Sequence, residues 1–216
     1  MNKKLMRIIS AVMAICLLAC MIVPAASFIK DKYEITKHDH VIFTLDNNKY
    51  LIYNDTRKFG KMYLINKEYD NNSPLNKLGL EPWDKELTIN YLKDKLNRNI
   101  AIKTLLLDQT IIVGIGNIYA DEILFLSKIN PLRKGYTLTN LELENIIKYT
   151  KEVLEKAISQ GGTTIRTYSS VNGIHGLFQQ ELLVHGKNSN CPICQEQILK
   201  IRVGGRGTYY CNNCQK

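Results

Sequence analysis

Four cysteines near the C-terminus have the types and the spacing to do chemistry. Cys191 and Cys194 enclose Pro-Ile, Cys211 and Cys214 enclose Asn-Asn, and sixteen residues separate the two pairs. A C-x-x-C turn presents two sulfurs to one ion, and two such pairs complete the tetrahedral four-thiolate site of a zinc ribbon. The chain between them must fold back as a hairpin. Its residues suit that: Ile198 to Val203 alternates like a strand, Gly204-Gly205-Arg206-Gly207 supplies a turn, and Thr208-Tyr209-Tyr210 returns. Zn2+ is therefore the expected cofactor, and Arg206 stands as the long cation at a glycine-flanked tip. A ribbon of this kind serves equally well as a purely structural staple. The arginine at its tip asks for an anionic partner.

The totals are compatible with such a partner. The 216 residues hold one ordinary domain or two small ones, and a hydrophobic fraction of 45% with 23% charged residues excludes a disordered chain. A formal charge of +9 favours nucleic acid or an anionic membrane surface. The other two cysteines, Cys16 and Cys20, lie in an N-terminal apolar run. Zinc thiolates fit a reducing compartment, whereas that run points outward.

Residues 1–27 form a signal-like or membrane-anchor segment. Lys3, Lys4 and Arg7 make a basic start, no charge occurs from Ile8 to Ile29, and Val23-Pro24-Ala25-Ala26 offers small residues to a signal peptidase. Leu17-Leu18-Ala19-Cys20 also resembles a lipoprotein box. The uncharged run of 22 residues is long enough to span a membrane, so association through residues 8–29 is one expectation. A buried apolar helix is the plain alternative.

The elements that must position the chemistry follow from the patterning. Val41 to Leu45 and Tyr50 to Tyr53 flank Asp46-Asn47-Asn48, which predicts a hairpin; residues 61–65 read as a further strand, and 66–82 as a linker. Leu87, Tyr91, Leu92 and Leu96 lie on one helical face, and helices dominate to about residue 160. Thr139-Asn140-Leu141-Glu142 is a capping box opening a long helix that Gly161-Gly162 ends. Thr163 to Phe178 reads as an exposed loop.

At Gly114-Ile115-Gly116-Asn117-Ile118-Tyr119-Ala120-Asp121-Glu122 the chain resembles the formamidopyrimidine-DNA glycosylase (Fpg/MutM) family. Other motifs fall in the family's order: Lys37-His38-Asp39-His40, the stretch from Tyr53 to Gly60, Gly161-Gly162-Thr163-Thr164-Ile165-Arg166, and the ribbon with Val203 to Gly207. The resemblance runs from about Phe28 to Lys216. It implies an α+β fold: a partial N-terminal β-sandwich over 28–70, a helix–two-turn–helix domain over 83–178, and a zinc-finger hairpin over 179–216. It also implies base excision repair of oxidised purines in double-stranded DNA, by a protein acting in the cytoplasm as a monomer.

Residue by residue, the resemblance puts Asn117, Lys103 and Arg206 on DNA phosphates. Arg57 and Phe59 match the loop that fills the duplex when a base is extruded, and 168–176 match the loop that closes over that base. Thr56 stands where the family usually has proline, and Lys58 where it has arginine. Taken singly, Phe59 reads as core, Lys58 as a solvated charge and Asn117 as a turn residue. Asp121 and Glu122 resemble a catalytic acid pair, but adjacent helical positions do not face each other, so they read as structural. His38 and His40 also read as structural, while His175 and His185 lack metal-ligand spacing.

The family's nucleophile is an N-terminal proline followed by glutamate, and no match to that pair is found here. No catalytic residue is therefore assigned. The expectation is a damaged-DNA-binding protein impaired in excision. The competing expectations are an exported or membrane-tethered nucleic-acid-binding protein without enzymatic activity, and a fused reading frame without a selected function.

Overall fold

The computed structural model describes residues 25–30 (backbone only), 34–56, 58, 60–62, 74–163, 176–186 and 189–216. Most of the expected strand over 61–65, the loop over 168–175, and most of the signal-like segment lie outside the described residues. So do Arg57 and Phe59.

Toward the N-terminus three strands, β1 (Ala25–Lys30), β2 (Asp39–Thr44) and β3 (Tyr50–Asp55), form an antiparallel sheet in the order β1-β3-β2. The β2–β3 hairpin turns where Asp46-Asn47-Asn48 predicts it. Leu45 N–H donates to Lys49 O at 2.8 Å, and Asn48 takes a left-handed φ of 59°, which asparagine tolerates better than most residues. Strand β1 begins three residues before the expected boundary at 28, pairing Ala25 with Asp55 and Lys30 with Tyr50. Residues 25–29 therefore belong to the sheet. That shortens the uncharged run ahead of it from 22 to 17 residues, at the lower end of the span a membrane helix needs.

Beyond the sheet, the long regular elements among the described residues up to the ribbon are helices. Helices α1 (Ile89–Leu96), α2 (Ile102–Leu106), α3 (Asn117–Leu126) and α4 (Asn140–Ser159) enclose a core of twenty buried side chains running from Leu87 to Leu182. Thr88 Oγ caps α1 by accepting from Tyr91 N–H. The capping box of α4 forms as predicted: Thr139 Oγ1 accepts from Glu142 N–H, and the Glu142 carboxylate accepts from Thr139 N–H at 2.8 Å. Burial pushes Glu142 up, yet its bonds to Arg133 and Thr139 outweigh that and hold it below the usual carboxylate value.

The ribbon follows as β4 (Leu199–Val203) and β5 (Arg206–Tyr210), paired antiparallel from Leu199–Tyr210 to Val203–Arg206. Its two-residue turn is Gly204-Gly205, with φ of 53° and 78°; two consecutive positive φ values are what a hairpin turn of this length demands. Arg206 is thus the first residue of β5, just past the turn. Leu182 packs into the helical core while Val184 packs with Cys191, Cys211 and Phe125. The two clusters thus meet between residues 182 and 184.

Candidate nucleic-acid interface

The four cysteines meet. Their sulfurs all lie within 4.8 Å of one another, with Cys191 Sγ to Cys214 Sγ at 3.7 Å and Cys194 Sγ to Cys211 Sγ at 3.4 Å. Zinc–sulfur bonds of about 2.3 Å make a tetrahedron with edges near 3.8 Å, whereas a disulfide needs about 2.05 Å. The separations fit an ion and exclude a disulfide. Ile193 N–H points at Cys191 Sγ from 3.4 Å, a donor suited to a metal-bound thiolate. Hydrogen bonds from Asn213 and the Glu196 backbone bring Cys194 down to about 6, while burial and its neighbouring thiols push Cys214 up to about 12. One thiolate forms readily near neutral pH; a cation makes the others affordable. When bound, Zn2+ cross-links the two turns and closes the ribbon.

What fastens the ribbon to the helices is a buried ionic joint. Lys103 on α2 is fully buried, with Nζ 2.7 Å from Asp121 Oδ1, 2.8 Å from Thr208 Oγ1 and 3.0 Å from Gly207 O. Asp121 on α3 also accepts at Oδ2 from Tyr209 N–H at 3.0 Å, and its Oδ2 lies 2.7 Å from His185 Nδ1. Burial pushes the Lys103 ammonium down, and Asp121 opposes that shift. Next to it, Glu122 accepts from the backbone N–H groups of Leu183, Val184 and His185 at 2.7 to 3.0 Å. Burial raises its carboxyl, and these three amides oppose the rise. At the far end Gln215 accepts from Cys211 N–H and donates to Ile129 O, each at 2.8 Å.

Lys103 thus lies under the hairpin, donating two hydrogen bonds to Thr208 and Gly207 and ion-paired with Asp121. The structural reading of Asp121 and Glu122 agrees with their positions: neighbours on one helix, they grip different segments.

The exposed edge of this joint holds the other two residues. Asn117 is the first residue of α3, and its Nδ2 donates to Gly207 O at 3.0 Å, so one carbonyl binds both Asn117 and Lys103. Asn117 Oδ1 is buried without a protein hydrogen-bond partner. Gly116 caps α3 with no side-chain bond, leaving the first-turn amides uncapped. Beside it the hairpin tip presses on α2: a Cβ on Gly204 would lie 2.6 Å from Thr104 Oγ1. Gly204, Gly205 and Arg206 are exposed. A cationic tip thus lies next to the positive end of a helix, a combination suited to phosphate.

Sequence reasoning missed the joint itself. The available signal was the charge of Lys103, Asp121 and Glu122 inside otherwise apolar helical stretches, where unpaired burial is prohibitive. His185 needed no metal to be held; it pairs with Asp121 and stacks edge-on to Tyr209 at 4.9 Å between ring centroids.

A zinc-ribbon hairpin fixed across a helix–turn–helix, with its cation beside a helix N-terminus, defines an α+β nucleic-acid-binding class. The particular family follows from comparison. Residues 78–169 match the formamidopyrimidine-DNA glycosylase H2TH domain, and residues 189–216 match the zinc finger found in FPG and IleRS. The formamidopyrimidine-DNA glycosylase of Rickettsia felis is 46% identical over 185 residues, 85% of this chain and 67% of that protein. That of Rickettsia bellii is 44% identical over 188 residues, 86% of this chain and 69% of its own. Among solved structures, Lactococcus lactis Fpg in complex with abasic-site DNA superposes with a TM-score of 0.79 at 38% identity, covering 89% of this chain and 72% of that one. MutM (Fpg) from Thermus thermophilus gives 0.77 at 32% identity, covering 88% and 72%. The chain belongs to the formamidopyrimidine-DNA glycosylase family, and its four-cysteine site is a Zn2+ site.

Proposed function

We propose that this chain binds damaged or abasic double-stranded DNA through Arg206, Asn117 and the start of α3, with Arg57 and Phe59 entering the duplex, and that it excises bases poorly. The observation that carries the binding half is the Gly207 carbonyl held by both Asn117 and Lys103, which leaves Arg206 exposed beside the amides of α3. The excision half rests on the 216-residue sequence, which contains no Pro-Glu dipeptide to supply the secondary amine and adjoining acid that the family's chemistry implies. Borohydride trapping on an abasic duplex tests it. The expected result is no covalent complex at DNA concentrations that saturate binding, and stoichiometric trapping would sink the proposal.

The second reading, a membrane-tethered or exported binder, is favoured by the uncharged run alone. The sheet pairing of residues 25–30 weighs against it. Fractionation separates the two, since mature protein outside the cytoplasm would favour tethering or export.

A further inference from the structure

The segment that leads into α3 is held from inside by one side chain. Gln109 Oε1 accepts from Gly114 N–H at 2.9 Å, and Gln109 Nε2 donates to Leu107 O and to Ile115 O, each at 3.4 Å. A single amide group thereby spans the turn in which Gly114 takes a left-handed φ of 88°. The backbone around it is tied as well. Gly79 N–H donates to Gln109 O at 2.8 Å, Leu80 N–H to Ile111 O at 3.2 Å and Val113 N–H to Leu80 O at 3.0 Å. Tyr91 Oη on α1 donates to Ile111 O at 2.9 Å, and Ile111, Ile112 and Ile115 are fully buried.

The outward side of the same segment is bare. Gly116 has φ −97° and ψ 175°, which any residue adopts, and a Cβ built on it would meet nothing within 4 Å. Neither backbone strain nor internal packing asks for a glycine there. A side chain at 116 would stand only in the way of a group approaching from outside, next to the uncapped first-turn amides of α3. The turn is thus tightly held on its inner side and open on its outer one.

We infer that Gln109 is a positioning residue for phosphate binding: by pinning Gly114 and Ile115 together it fixes the approach to α3, so that the first-turn amides meet a DNA phosphate already aimed. In the DNA-binding reading above, on which this rests, two grips then separate. Arg206 offers a long flexible cation from the ribbon. The start of α3 offers backbone dipoles, which cannot follow a phosphate and must be set beforehand. Glutamine suits that task because its amide carries both an acceptor and a donor, serving the N–H of Gly114 and the carbonyl of Ile115 at once. An apolar side chain of similar size would leave both without that partner. Gln109 acts through the backbone it holds and touches no DNA itself.

The test uses the full zinc-loaded chain and a set of abasic duplexes in which single phosphates near the lesion are replaced, one at a time, by neutral methylphosphonates. The parent is expected to lose affinity about five-fold or more at each phosphate it grips. In Gln109→Leu, which keeps the volume but none of the hydrogen bonds, the effect of one such replacement should shrink to within about two-fold. The replacement that loses its effect in Arg206→Ala should be a different one, and it should keep its full effect in Gln109→Leu. Gly116→Ala, which meets nothing inside the protein, should silence the same replacement as Gln109→Leu by blocking the approach. A general loss of stability would instead weaken binding to every duplex alike and leave the pattern as in the parent. That outcome, or a Gln109→Leu pattern matching that of Arg206→Ala, would overturn the inference.

A second measurement needs no DNA. Hydrogen exchange at the Gly114 amide should be at least about ten-fold faster in Gln109→Leu than in the parent, while exchange over 120–126 stays level, because local opening sets the rate. Equal rates at Gly114 would overturn the inference. A parent chain indifferent to every methylphosphonate would defeat the DNA-binding reading and the inference with it. A sensitive parent whose pattern Gln109→Leu leaves unaltered would overturn the inference alone.

Discussion

The finger–helix joint and the N-terminal sheet are fastened in different ways. At the joint, charged side chains of α2 and α3 reach distant segments of the chain: Lys103 bonds Gly207 and Thr208 and pairs with Asp121, and Asp121 in turn accepts from Tyr209 N–H. The helical core beneath it holds twenty buried side chains among the described residues. In the three-stranded sheet, by contrast, Ile52, Tyr53 and Asp55 are the described buried side chains, and Ile42 and Phe43 on edge strand β2 are 38% and 47% exposed. Consecutive strand residues point to opposite faces, so this edge shows apolar surface on both. The lesson is that the helical and ribbon half carries its own support, whereas the sheet half depends on local bonds such as those that Asp55 accepts from Tyr53 Oη and from the amides of Lys58 and Gly60.

Removing one partner of the joint should have the larger effect. Asp121→Ala leaves the Lys103 ammonium buried and unpaired, and breaking a buried pair in that way costs about 3–5 kcal/mol. Thermal melting of the zinc-loaded chain should therefore drop sharply, while the four cysteines still take up one zinc per chain. An unchanged melting temperature would mean that the joint is incidental to how the ribbon is held.

The sheet should respond on a smaller scale and separately. Ile52→Ala removes its most buried apolar side chain and should cost about 2–4 kcal/mol within that sheet. If the halves are independently supported, hydrogen exchange will rise over 39–55 and stay level over 102–126. Equal rises in both segments would show one cooperative unit and erase the contrast.

What could be read in the sequence was what local spacing encodes. The two C-x-x-C pairs, the Thr139–Glu142 capping box and the Asn-rich turn before Tyr50 each declare themselves within a few residues, and each forms. The role of Lys103 was not legible, because its partners lie 104 and 105 positions away at Gly207 and Thr208. A lysine in an apolar stretch signals only that something must neutralise it. Asn117 and Arg206 are each legible as candidates, but the bond from Asn117 Nδ2 to the carbonyl of Gly207, next to Arg206 in the chain, is likewise a long-range fact. Asp55 escaped notice for the opposite reason. Its bonds are local, but Lys58 and Gly60 reach it through backbone amides, and a hydrogen bond made by an amide does not depend on residue type.

The central claim is that the supported edge of the joint grips DNA phosphates, and Arg206→Ala tests it most directly. Binding of the zinc-loaded chain to an abasic duplex should be measured across a range of salt, with zinc content determined on the same preparations. The account predicts affinity weakened about ten-fold or more, a salt slope reduced by about one, and zinc content unchanged. An affinity and slope equal to the parent's would contradict it, and so would a loss of binding that merely follows loss of zinc.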